Sequence, residues 1–101
     1  MISKIEILKI ARLEYDEAKA FYEIEQPGLG TKFEDEIKYS LLRIQQYPHA
    51  WPSERKEIRR YILHKFPYKI LYSIQNDKIV VLAFAHLHRK PDYWIDRANQ
   101  D

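Results

Sequence analysis

Residues 57–89 constrain this chain more than any other stretch. They contain three runs rich in β-branched and aromatic residues: Ile58-Arg59-Arg60-Tyr61-Ile62-Leu63, Tyr68-Lys69-Ile70-Leu71-Tyr72-Ser73-Ile74 and Lys78-Ile79-Val80-Val81-Leu82-Ala83-Phe84-Ala85-His86. Such runs separated by turn residues read as consecutive strands. Asn76-Asp77 suits a tight hairpin, because both residues tolerate a left-handed backbone. Phe66-Pro67 breaks the first pair, since proline fixes φ and donates no ladder hydrogen bond. The expectation is an antiparallel meander. In its middle run Tyr68, Ile70, Tyr72 and Ile74 share one face, and Lys69, Leu71 and Ser73 the other. The third run is apolar on both faces as far as His86, which predicts an interior strand.

The preceding residues supply the layer that covers this sheet. Residues 2–8 alternate and predict a short edge strand. Ala11, Tyr15, Ala18 and Tyr22 recur at helical spacing, which leaves Glu14, Glu17, Lys19 and Glu23 for solvent. Pro27-Gly28-Leu29-Gly30 makes a turn, with Gly28 or Gly30 as its left-handed residue. Thr31 and Glu34 have the spacing of a capping box. Phe33, Ile37, Leu41 and Ile44 then form a second helical stripe, ended by Pro48. Residues 49–56 read as a loop. Pro91-Asp92-Tyr93-Trp94 reads as an aromatic turn, and residues 95–101 as a last helical turn. Helices grouped before strands predict an α+β fold, β-α-α-β-β-β, with a helix hairpin on one face of a mainly antiparallel twisted sheet. With 101 residues, the chain reads as one domain, 1–101.

Composition narrows the function classes. The net charge of +2 is too small to indicate nucleic-acid binding by itself, so the placement of charges must carry that argument. There is no cysteine, which excludes disulfides and thiolate metal sites. No apolar run approaches the roughly 20 residues that span a bilayer, and charged residues interrupt the first ten positions. The expectation is a cytoplasmic protein with no membrane partner.

Four groups of side chains carry potential chemistry. Arg55, Lys56, Arg59, Arg60, His64 and Lys65 surround the first run. Arginine forks bind phosphate, although lysine and arginine also protect strand edges from aggregation. Lys69 lies inside an apolar run and suits either a phosphate contact or solvent on an uncovered sheet face. His86, His88, Arg89 and Lys90 end the third run, where histidine can move protons and arginine can hold an anion. His86 and His88 lack an evident third metal ligand, so neither a metal nor a cofactor is expected. Tyr93 and Trp94 either stack on bases or close the core. Phosphate loops, nucleophile elbows and zinc-protease motifs are missing from the sequence.

Taken in order, these pieces resemble the RelE/ParE superfamily, the toxins of type II toxin–antitoxin modules. The resemblance rests on Glu17-Ala18, Phe21-Tyr22, Pro27-Gly28-Leu29-Gly30 and Phe33, on Arg59-Arg60, and on Phe66-Pro67-Tyr68-Lys69-Ile70-Leu71-Tyr72. It continues through Ile79-Val80-Val81-Leu82-Ala83 to His86, Arg89, Pro91, Tyr93-Trp94 and Arg97. It implies a cognate antitoxin as partner and one of two targets. RelE-like members cut messenger RNA on the ribosome without a metal, whereas ParE-like members inhibit DNA gyrase. On the RelE-like reading Lys69, Arg89, His86, His88 and Tyr93 form the catalytic set, and Arg59, Arg60, Lys65 and Lys90 bind RNA. Lys69, Arg89 and Arg60 are then expected on one side of the sheet. RNA cleavage is the leading expectation; gyrase inhibition by binding alone, or a non-toxic member that retains only antitoxin binding, is the alternative. The antitoxin is expected in an apolar groove bordered by Arg59 or Arg60.

Overall fold

The computed structural model describes residues 4–99. Strand β1 is Lys4–Ile7, followed by helices α1, Lys9–Glu25, and α2, Leu29–Gln46. Strands β2, Ser53–Arg55, β3, Ile58–Ile62, β4, Tyr68–Gln75, and β5, Lys78–His86, come next, and a 3-10 turn at Ile95–Asn99 ends the description. Ile2, Ser3 and the last two residues, which the sequence assigned to the first strand and the final turn, lie outside the described residues.

The fold is α+β, with the helix hairpin on one face of a five-stranded sheet ordered β1-β5-β4-β3-β2. β1 pairs with β5 in parallel and every other pair is antiparallel. The edge position of β1 and the interior position of β5 follow the sequence reading. Strand β2 corrects it, because residues 49–56 are not all loop. Lys56 takes a left-handed backbone (φ 52°) and turns β2 into β3. Ser53-Glu54-Arg55 is short and wholly polar, so no periodicity marks it.

The core on the helix side follows the two helical stripes. Phe33, Ile37 and Ile44 are buried against Ile70, Tyr72, Val81 and Phe84, with Leu41 partly buried beside them. Phe33 lies against the rings of Tyr15, Tyr22, Phe66 and Tyr68 at 5.1–5.9 Å between centroids. The β4–β5 register shifts once, with Leu71 opposite Ala83 and Tyr72 opposite Val81. Leu82 is therefore an extra residue on β5. The second sheet face is not open to solvent, as the reading of Lys69 assumed. Leu71, Val80, Leu82 and Ala85 are buried there under Trp94, with Ile95 and Ala98 alongside.

Two corrections concern the helix turn. Thr31 is no cap, because α2 begins at Leu29 with Gly28 (φ 90°) as its N-cap. The orphan amides of α2 are met instead from α1. Glu23 accepts hydrogen bonds from the N–H groups of Gly28 and Gly30, each at 3.0 Å. Glu23 is thus not merely a solvent-facing residue. Gly30 is required by close approach rather than by φ. A Cβ there would lie 2.8 Å from the carbonyl oxygen of Lys19 and 2.9 Å from the Glu23 carboxylate. Gly30→Ala should force the helices apart and cost about 1–3 kcal/mol. Urea unfolding checks this, and a variant as stable as the parent would show that the helix contact has slack.

Candidate functional site

The residues singled out from the sequence fall into two clusters rather than one. The first sits on β2, β3 and β4, on the sheet face opposite the helices. Pairing places Arg60 beside Leu71 and Lys69 between Ile62 and Ala85. Their charges are already matched. The Lys69 ammonium donates to Glu54 at 2.6 Å, and Arg60 lies 3.7 Å from the same carboxylate. Arg60 also donates to the Ser53 carbonyl at 2.7 Å. Neighbouring Arg59 donates to the carbonyls of His49 and Trp51, so it holds the chain entering β2. Arg55 pairs with Asp92.

The second cluster surrounds a cleft of about 260 Å³ between α1 and the end of β5, bordered by Glu14, Glu17, Tyr68, His86 and Arg89. His86 faces the helix side, because its cross-strand partner is Tyr68. Its Nδ1 accepts the backbone N–H of His88 at 3.1 Å, and the two imidazoles lie 5.2 Å apart. With Nδ1 accepting, a neutral His86 carries its proton on Nε2. His88, Arg89 and Lys90 are exposed. The Arg89 guanidinium lies 3.9 Å from the centre of the Tyr93 ring. The structure therefore brings Lys69 and Arg60 together around Glu54, and places Arg89 with His86 and Tyr93 at the other cluster.

Two residues to which sequence reasoning gave no part in the site organise this second cluster. Glu14 was assigned to solvent, yet its side chain is only 12% exposed. It accepts from the Tyr93 hydroxyl at 2.6 Å, from Arg97 at 2.9 and 3.1 Å, and from the Phe84 N–H at 3.1 Å. A signal was present: Glu14 lies between Ala11 and Ala18 on the buried face of α1. Arg97 is the second residue, donating also to the Leu82 carbonyl at 3.1 Å.

These contacts decide what the groups can do. Burial, then the hydrogen bond to Glu14, pushes the Tyr93 phenol well above its ordinary pKa, so it stays protonated and donating. Burial does the same to Tyr72, whose hydroxyl donates to the Pro48 carbonyl at 2.6 Å. An unfolded tyrosine loses its proton near pH 10. The folded chain therefore holds more protons than the unfolded chain above that pH, so this stability is intact below about pH 10 and is lost as pH rises further. Urea midpoints should fall as pH rises above about 10, and less steeply in Tyr72→Phe; equal slopes would show that Tyr72 is not the source.

A larger groove lies elsewhere, between α2 and the β3–β4 turn, with a volume of about 750 Å³. Tyr22, Leu29, Tyr39 and Phe66 line it, together with Lys32, Lys65 and Asp35. Arg59 and Arg60, expected at the border of such a groove, do not line it. Phe66 meets Tyr22 and Phe33 edge to face, which fixes the floor. Glu36 is committed to the backbone N–H groups of His64 and Lys65. Among the described residues no three of histidine, cysteine, aspartate or glutamate gather as a metal site, and no helix is long and apolar enough to cross a membrane.

A family model described as the ParE toxin of type II toxin–antitoxin system, parDE, matches residues 5–93. Among solved structures, one chain of a chromosomal ParDE toxin–antitoxin system from P. aeruginosa superposes with a TM-score of 0.75. The match covers 86% of this chain and 98% of that one at 18% identity, so the likeness is one of fold. No curated protein matches the chain.

Proposed function

Because the chain belongs to the ParE toxin family of type II toxin–antitoxin systems, we propose that it arrests growth in the cytoplasm by binding DNA gyrase, and that a cognate antitoxin silences it. The observation that carries the choice of target is the state of the sheet face opposite the helices. RNA cleavage would need open cations on the sheet, yet Lys69 and Arg60 are both paired with Glu54, and Trp94 covers the neighbouring apolar part of the same face. Tyr93, the C-terminal proton-transfer candidate, is a protonated phenol bound to Glu14. A sheet whose Lys69 and Arg60 are held by its own Glu54 suits a toxin that acts by surface contact. The antitoxin has a natural seat in the groove beside α2, where an apolar segment meets Tyr22, Leu29, Tyr39 and Phe66.

RNA cleavage is the second reading, favoured by His86, His88, Arg89 and Lys90 grouped at one strand end. A short pulse of expression separates the two. Gyrase inhibition leaves transcript 5′ ends unchanged and relaxes a reporter plasmid. New transcript ends with normal plasmid topology would overturn the proposal in favour of cleavage. Neither change, with growth unaffected, would mark a chain that only binds antitoxin.

A further inference from the structure

The residues beyond the matched family span, which ends at 93, pack on the sheet. β1 pairs with β5 only as far as Val81, whose carbonyl also accepts the Leu8 N–H. Beyond that point the outer edge of β5 has no strand beside it among the described residues. Side chains meet that edge instead: Glu14 accepts the Phe84 N–H, and Arg97 donates to the Leu82 carbonyl. The same Glu14 carboxylate holds Tyr93 and both terminal nitrogens of Arg97. Arg97 is 13% exposed, so this is a nearly buried charge pair. Between these two residues Trp94 fills the second sheet face, with Ile95 and Ala98 beside it.

Residues 91–99 thus lie across the sheet as a strap. The strap pairs with no strand; its own backbone bonds are local, from Ile95 to Asp92 and from Arg97 to Trp94. Its anchors are the Trp94 indole, the Arg55–Asp92 pair near its start, and Glu14. The Phe33 core lies on the other sheet face. We propose that Glu14 is a latch: releasing its carboxylate lets residues 91–99 leave the sheet as a unit while the helix hairpin and strands stay folded. A packed element with two discrete positions is what a local opening requires. Opening uncovers the apolar bed under Trp94 and frees the Leu82 carbonyl on the β5 edge. The latch is the same whichever target the toxin has.

Hydrogen exchange on the intact protein tests it, comparing the parent with Glu14→Gln, Glu14→Ala and Arg97→Met. Glu14→Gln keeps volume and an acceptor toward Phe84 but removes the charge facing Arg97. Removing one partner of a nearly buried ion pair strands the other. The Ile95 and Arg97 amides should lose about a hundredfold in protection, while those of Phe33, Ile44 and Tyr72 keep theirs. Arg97→Lys should recover part of the loss. An equal fall at every amide would make Glu14 an ordinary part of the global core, and unchanged strap protection in Glu14→Gln would show that Trp94 alone holds the segment. Either result overturns the latch.

Discussion

Phe33→Ala is expected to remove about 3–5 kcal/mol of stability, the cost of emptying a buried aromatic site. A domain of this size has a total of roughly 5–15 kcal/mol, so the variant should sit close to its unfolding transition at 37 °C. Phe33 is fully buried in α2 and touches rings from α1, from the β3–β4 turn and from β4. No one neighbour can move into the space, because each ring is held by another element. Leu42 on the same helix is 57% exposed, and Leu42→Ala should change stability by about 0.5 kcal/mol or less. Urea unfolding of the two variants measures the contrast. Similar losses in both would mean that the helix hairpin does not pack by the Phe33 face.

The second large effect is an expected non-effect. If His86 or His88 moved protons in RNA cleavage, replacing both by alanine would lower activity by about 10²–10⁴-fold. On the gyrase reading the double variant should keep growth arrest within about threefold, a loss of binding below roughly 1 kcal/mol. His86 is half-buried and His88 exposed, and the His86 imidazole meets Tyr68 only at a ring edge, so folding should survive the change. Thermal melting of the purified variant guards against a misread loss. A folded double variant that has lost toxicity by two orders of magnitude would return His86 and His88 to the catalytic role.

The architecture was legible because its signals are local. β-branched runs marked β3, β4 and β5, and the alternation along β4 correctly divided Tyr68, Ile70 and Tyr72 from Leu71. The apolar stripe through Phe33 and Ile44 found the buried face of α2. The candidate site was much less legible, because its decisive partners are carboxylates far away in sequence. Glu54 neutralises Lys69 from a three-residue polar strand that no periodicity reveals. Glu36 reaches the amides of His64 and Lys65 from α2, and Glu14 reaches Arg97 across nearly the whole chain. A basic residue read from sequence alone looks available for phosphate; only the fold shows which ones are already matched. Lys69 also looked solvent-facing because nothing in its run predicts that residues 91–99 return to cover that face.

The proposed action of this toxin is binding to gyrase rather than chemistry on RNA. It is tested most directly by adding the purified protein to DNA gyrase and relaxed plasmid, with ATP, and following supercoiling. Supercoiling should fall as protein is added, and return when the cognate antitoxin is present in equal amount. Full supercoiling at a large excess of folded toxin, from a preparation that still cuts messenger RNA on ribosomes, would contradict it.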